Sequence, residues 1–185
     1  MHPETSKIQY TLREATEDDK KTLTAMELDA VALFKTIPGL ADLGENHASP
    51  EQLSVWLSSG RIYIAEDNAK PVGFVAAVTM DTTLYIANIS TTQEYQGKGV
   101  GTNLIAAVFE WARDLAAATG SKPRVSLTTY REILWNAPYY RKRGFREVEA
   151  ETLGPKHVEK MMYDRGERNL IRPGYTRCCM LWEGE

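Results

Sequence analysis

Seven residues, Gln96-Gly97-Lys98-Gly99-Val100-Gly101-Thr102, constrain this chain more than any others. They lie between an apolar, strand-like run from Leu84 to Thr91 and a strongly helical run from Val100 to Ala118. Three glycines in five residues remove side chains where a loop turns into a helix. The first N–H groups of a helix lack an intrahelical partner, and the helix dipole there favours an anion. The segment is therefore suited to hold a pyrophosphate. With the strand predicted at Arg124 to Thr129, the unit from residue 84 to residue 129 reads as a right-handed crossover between two parallel strands.

Three phosphate-binding patterns can be set against these residues. A P-loop has Gly, four residues, then Gly-Lys-Ser/Thr. Here Gly99 follows Gly97-Lys98, and Thr92 stands where the first glycine belongs. A dinucleotide fingerprint, Gly-x-Gly-x-x-Gly, needs a glycine where Thr102 stands. The third pattern, Gln/Arg-x-x-Gly-x-Gly/Ala, is met by Gln96, Gly99 and Gly101. A second segment lies downstream: Asn136, the aromatic pair Tyr139-Tyr140, the basic run Arg141-Lys142-Arg143 and the closing Gly144-Phe145. In this order, with a strand between them, the two segments resemble the acetyl-CoA pyrophosphate loop and the Asn, aromatic-Tyr, Gly-Phe signature of the GNAT superfamily of N-acetyltransferases. The resemblance covers roughly residues 8–150 and is weakest at the N-terminal, acceptor side.

Hydrophobic period and turn chemistry predict the remaining elements. Ile8 to Glu14 alternates as an opening strand, and a helix follows the acidic N-cap Thr16-Glu17-Asp18-Asp19 to about Lys35. Its apolar face carries Leu23, Met26, Ala30, Leu33 and Phe34, and residues 36–48 read as a loop. Ser49-Pro50-Glu51-Gln52 opens a short helix to Leu57. Arg61 to Glu66 and Val72 to Met80 read as strands joined by a polar turn. Val100, Leu104, Val108, Trp111 and Leu115 form one stripe, ended by Gly120 and Pro123. Asn136 to Arg143 is predicted helical, Phe145 to Thr152 a strand, Lys156 to about Glu167 a charged surface helix, and Tyr175 to Trp182 a closing strand.

The fold class is α/β (α+β), a GNAT-like one by resemblance. A central mixed, mostly antiparallel sheet of roughly seven strands, with a parallel pair splayed at the acetyl-CoA site, is flanked by helices. Residues 1–185 read as a single domain with a short flexible tail at 1–6. A net charge of −3 argues against a nucleic-acid partner. No apolar run has membrane-span length and no signal-peptide pattern opens the chain, so a cytoplasmic location without membrane attachment is expected. Cys178 and Cys179 are adjacent, read as one buried and one exposed thiol, and together with His2, His47 and His157 show no metal-ligand spacing, so no metal is expected.

The resemblance implies acetyl transfer from acetyl-CoA, as cosubstrate, to an amine by direct attack in a ternary complex. The pantetheine arm would bond to the backbone of Ile89, Ser90 and Thr91. The pyrophosphate would lie on Gln96, Gly97, Lys98, Gly99, Val100, Gly101 and Thr102. Lys98 and the Arg141-Lys142-Arg143 cluster, Arg143 foremost, would face the ribose phosphate, and Asn136, an N-cap by position, would also touch the pantetheine. Tyr140 is the candidate catalytic acid, because a phenol is protonated at neutral pH and can donate to a departing thiolate. Tyr139 and Trp135 read as packing or pocket walls, and Phe145 as core. Where several family members carry a glutamate base, this chain has Thr83. Asp81, Asp29, Glu45, His47 and Glu132, or a water chain, are the substitutes. The acceptor side is expected between Phe34 and Ser49, for a small-molecule primary amine. The alternatives are a peptide or protein N-acetyltransferase and a non-catalytic acyl-CoA-binding sensor. The resemblance also admits a homodimer through the closing strands.

Overall fold

A computed structural model describes residues 10–185. The tail expected at residues 1–6 and the first residues of the opening strand lie outside the described residues. Seven strands form one sheet: β1 (Thr11–Glu14), β2 (Gly60–Asp67), β3 (Lys70–Met80), β4 (Thr83–Thr91), β5 (Arg124–Tyr130), β6 (Arg146–Val148) and β7 (Arg177–Glu183). Their order across the sheet is β1-β2-β3-β4-β5-β7-β6. The helices are α1 (Lys20–Val31), α2 (Pro50–Ser59), α3 (Val100–Thr119), α4 (Ala137–Arg141) and α5 (Pro155–Arg165). Among the described residues only β4 and β5 run parallel; the other neighbours are antiparallel.

Strand alternation divides the core into two layers. On β2 and β3, Ala65, Val75 and Ala77 face α3, which lays Leu104, Ile105, Val108 and Trp111 against them. Ile62, Ile64, Phe74 and Ala76 face the other way, onto Leu23 and Met26 of α1 and Leu53 of α2. The same alternation sends Cys178 to the α3 side and Cys179 to the cluster that holds Met161 of α5. Both thiols are buried, not one of the two, because β7 lies between two covered faces. Burial pushes both up to about 11, so they stay protonated.

The N-cap chemistry of α2 forms as its sequence predicts, with the Ser49 hydroxyl accepting from the Gln52 N–H at 3.1 Å. Gly120 ends α3 in the left-handed region at φ 67°. Three boundaries differ from the sequence reading. The first helix is shorter, flanked by 3-10 turns at Glu17–Asp19 and Ala32–Thr36. The stretch 36–48 carries a further 3-10 turn at Ala41–Glu45. Strand β6 stops at Val148, and Ala150–Thr152 turn as a 3-10 helix that leads into α5.

Helix α5 is more than a surface helix, since His157, Met161 and Asp164 are buried beneath it. Asp164 accepts from Arg177 Nη2 at 2.8 Å, pairs with Lys160, and has Arg168 at 3.7 Å. Burial alone would raise its pKa, but Arg177 and Lys160 outweigh burial and hold the carboxyl below its ordinary range. A second anchor runs from Asp81 through His157 Nδ1 at 2.7 Å and Nε2 to Ser126 at 2.8 Å, then to Thr83 at 2.6 Å. Among the described residues, no helix is long and apolar enough to cross a membrane.

The Asp164 cluster predicts acid lability of a defined sign. The folded pKa is below the unfolded one, so its stabilisation is complete above the unfolded value of about 4 and is lost as pH falls through the folded value. Asp164→Asn should cost roughly 3 kcal/mol at pH 7 by stranding buried cations. Thermal melts across pH 7 to 3 should show the gap between variant and parent closing at the acid end.

Candidate active site

The parallel pair β4–β5 is joined at only two positions, Leu84↔Val125 and Tyr85↔Ser126. Beyond them the strands part. A bulge at Ala87, where Ala76 pairs with Asn88 and Ala77 with Ile86, re-aims β4 at that point. The outer edge of β4 from Ile86 to Thr91 therefore has no strand beside it, and edge backbone groups can pair with an extended ligand. A cavity of about 520 Å³ opens there. Its walls include Ile89, Ser90 and Thr91 of β4, the glycine loop, Val31 and Phe34, and Asn136, Tyr139, Tyr140 and Arg143.

The three loop glycines have separate reasons. Gly97 and Gly99 sit at φ 73° and 90°, a region costly for any side chain, with open space around them. Gly101 is sterically required instead: a Cβ there would meet the Tyr139 hydroxyl at 2.4 Å. With Gly99 as N-cap, the N–H groups of Val100, Gly101 and Thr102 have no acceptor among the described residues. The loop is braced from below. Tyr10 donates to the Lys98 carbonyl at 3.0 Å, the Gln96 side chain donates to the Thr91 carbonyl at 3.2 Å, and Asn103 Nδ2 donates to Gly99 at 2.9 Å.

Charge at the cavity mouth is positive. Arg143 stacks on the Tyr139 ring at 3.4 Å and donates to Thr102 Oγ1 at 2.6 Å, with no carboxylate against it among the described residues. Lys98 lies over the Tyr95 ring and does not line the cavity. Arg141 is neutralised by Glu147. Asn136 occupies the N-cap position of α4, but its side chain makes no cap hydrogen bond and is left to the cavity. Tyr140 is wedged edge-on against Tyr139 and Phe145, and its hydroxyl has no protein partner among the described residues. Burial raises its pKa well above the ordinary phenol range, so it is protonated at neutral pH. Phe145 is core, and Trp135 and Tyr139 are cavity walls.

The substitute bases read from the sequence are engaged elsewhere. Asp81 holds His157 and accepts from the first N–H groups of α5, Lys156 and His157. Asp29 accepts from the Gln93 N–H at 2.6 Å. Glu132 accepts from the Thr176 N–H at 2.7 Å, Glu45 pairs with Lys35, and His47 is exposed beside the Glu45 carbonyl. Thr83 is buried against Ser126. The series Asp81–His157–Ser126 has the hydrogen-bond pattern of a nucleophilic triad. Ser126 and His157 are both 0% exposed and line neither cavity, so the series fastens α5 to the sheet.

One buried carboxylate was missed by sequence reasoning. Glu27 of α1 is 4% exposed and lines a second cavity, of about 530 Å³, on the α2–α5 side. It accepts from the Ala48 N–H at 3.0 Å and from Asn88 Nδ2 at 2.5 Å, while Ser90 donates to Asn88 Oδ1 at 2.9 Å. Ser90 lines the first cavity and Asn88 the second, so this relay crosses β4 between them. Burial pushes the Glu27 carboxyl above its ordinary range. The signal was in the sequence: Glu27 lies within the helical stripe Leu23, Met26, Ala30, where a carboxylate has to be satisfied internally. By contrast Ile37, Leu40 and Leu43, expected to line the acceptor side, pack in a satellite core with Tyr130, Ile133 and Leu170. Only Asn46, His47, Ala48 and Ser49 of that segment reach the second cavity.

Residues 58–147 match the model of the acetyltransferase (GNAT) domain. N-acetylglutamate synthase from Neisseria gonorrhoeae, complexed with coenzyme A and N-acetyl-glutamate, superposes with a TM-score of 0.66 at 18% identity over 95% of this chain, which spans 35% of that protein. PaiA N-acetyltransferase from Thermoplasma acidophilum, in complex with coenzyme A, gives 0.64 at 15% identity over 95% of this chain and 99% of its own. An acetyltransferase of the GNAT family from Staphylococcus aureus gives 0.64 at 16% identity with the same coverage. At these identities the structural likeness is one of fold, and the acetyltransferase (GNAT) domain match covers the central part of the chain, residues 58–147.

Removal of the Glu27 carboxylate should strand the Ala48 N–H and Asn88 amide. Glu27→Ala is expected to lose about 1–3 kcal/mol of unfolding free energy in urea, with an unchanged m value.

Proposed function

We propose that this chain acts as a GNAT-superfamily enzyme and transfers an acetyl group from acetyl-CoA to a primary amine of a small molecule, by direct attack in a ternary complex. One observation carries the reading: the unpaired edge of β4 faces a cavity that joins an anion-suited helix start to an unpartnered tyrosine hydroxyl. An extended pantetheine arm would add to Ile89, Ser90 and Thr91 as a strand adds to an edge. The pyrophosphate would accept from the N–H groups between Gly97 and Thr102, and Arg143 would supply charge at the phosphate end. Asn136, with its side chain uncommitted, would bond to the arm.

The neutral amine nitrogen attacks the thioester carbon, a C–N bond forms, the C–S bond breaks, and the proton the nitrogen loses passes to water. Tyr140 gives its proton to the departing sulfur and regains one from solvent. A main-chain N–H on the open edge of β4 would hold the oxyanion. Neither thiol lines the first cavity, which favours a single transfer over an acyl-cysteine route. Release of free thiol from acetyl-CoA in the presence of a panel of amines tests the reading, and amine-independent silence together with tight acetyl-CoA binding would replace it by an acyl-CoA sensor.

Tyr140→Phe should lower kcat by about ten- to a thousandfold with little change in acetyl-CoA affinity. Because burial raises the Tyr140 pKa, the parent's kcat should show no alkaline fall from this group below about pH 10. Turnover unaltered in the phenylalanine variant would remove Tyr140 from the chemistry. Gly101→Val should push Tyr139 off the Arg143 guanidinium and weaken coenzyme A binding by about a hundredfold in calorimetry, with circular dichroism unchanged.

A further inference from the structure

The first cavity has a wall that the acyl donor does not use. Placed as above, the donor lies on the β4 edge, on the glycine loop with the turn before it, and on the segment from Asn136 to Arg143. The remaining wall comes from elsewhere in the fold. Ala30 and Val31 close α1, Leu33 and Phe34 stand in the 3-10 turn after it, and Trp135 stands in the loop before α4. The two segments meet, since the Phe34 and Trp135 rings pack edge to face with centroids 6.0 Å apart. Behind the wall, Phe34 packs on the satellite core and so fixes it from the rear. All five side chains are apolar and none is buried. Trp135 is 37% exposed and its neighbour Leu134 79%, so the wall runs out to the protein surface. Among the described residues, no carboxylate, lysine or histidine lines this cavity. Its arginine, Arg143, is held at Thr102 and Tyr139 on the donor side.

A concave apolar surface left open to water gains most from a ligand that covers it with apolar surface of its own. The same surface penalises charge. An ammonium or carboxylate brought against it meets no counter-ion, and desolvation favours the uncharged amine. The uncharged amine is also the form that attacks a thioester. An aromatic ring suits the Phe34–Trp135 pair, because edge-to-face contacts add to the area buried. We propose that this wall is the acceptor subsite and that it selects arylalkylamines, with an aromatic body, one amine, and neither a carboxylate nor a second cation. The selection rests on the acetyltransferase reading for its chemistry and adds to it the class of amine. Neutral amine and thioester become amide and thiol, the nitrogen's proton going to water and the sulfur's coming from Tyr140. The second cavity sets the contrast: lined by Glu27, His47, Lys160 and Arg168, it suits a charged acceptor.

Three amines separate the possibilities: phenethylamine, phenylalanine, which adds a carboxylate, and putrescine, which replaces the ring by a second cation. Measured by thiol release at saturating acetyl-CoA, kcat/KM should favour phenethylamine over each of the others by about tenfold or more. Trp135→Ala should raise the phenethylamine KM about tenfold and leave coenzyme A affinity in calorimetry within about twofold. Leu33→Asp sets a carboxylate in the wall and should move the ratio of putrescine to phenethylamine several-fold toward putrescine. Neither position is buried, so both variants are expected to fold. Preference for phenylalanine or putrescine in the parent overturns the subsite and leaves the acetyltransferase standing, with its acceptor in the second cavity. A Trp135→Ala protein that loses coenzyme A affinity but keeps its amine KM gives the wall to the donor and equally overturns the subsite. If no amine releases thiol, titration into the coenzyme A-saturated protein decides. Tighter binding of phenethylamine than of phenylalanine would keep the subsite and sink the transfer, and equal or absent binding would sink both.

Discussion

Two parallel strands that pair at two positions and then separate are the constraint on which this structure turns. A parallel ladder broken so early would waste backbone hydrogen bonds unless the parted edges find other partners. Strand β5 is paired along its whole length with β7, but on the edge opposite β4. Strand β4 keeps β3 on one side and an open cavity on the other. The bulge at Ala87 shifts the register on β3 by one residue and lets β4 bend at the fork while pairing continues on both sides of it. The fork itself is held from beneath: Ser126 and Thr83 tie into His157 and Asp81, and the Tyr85 hydroxyl bonds to Thr128, which in turn reaches Asp164.

That support has local costs. Asp81 sits at φ 50°, and a Cβ on Gly154 would collide with its carboxylate at 2.5 Å. Both features follow from bringing the start of α5 down onto the end of the β3–β4 hairpin. The aspartate receives two backbone N–H groups and the imidazole in return. A serine, a histidine and an aspartate in hydrogen-bonding order thus serve architecture here, because burial withholds the serine and the histidine from any ligand.

Electrostatics divide the two sides of β4. The glycine loop and Arg143 make an anion-attracting rim with no fixed carboxylate, as a phosphate-bearing ligand requires. Across the strand, the second cavity is lined by the buried Glu27 carboxylate together with Lys160 and Arg168. The Ser90–Asn88–Glu27 chain is the polar link between the two spaces. A buried polar chain of this kind is retained only when every member is satisfied, and here each member has a partner.

The sequence by itself determined the parts that depend on neighbours in the chain. The glycine loop, the Ser49 cap, the α3 stripe and the Asn136–Phe145 segment all follow from spacings within a turn or a pleat, and each stands where local physics puts it. The residues read as phosphate-binding lie on that short loop and helix, and all but Lys98, Arg141 and Lys142 line one cavity. Tertiary structure alone decided what pairs across long separations. Glu27 meets Asn88 from 61 residues away, and Ser126 meets His157 from 31. The bulge at Ala87, the burial of both cysteines and the role of α5 belong to the same class, whereas the parting of β4 and β5 was expected from the family resemblance and not from any local pattern. No periodicity encodes them, because a period reports which face of an element is covered and says nothing of which distant side chain covers it.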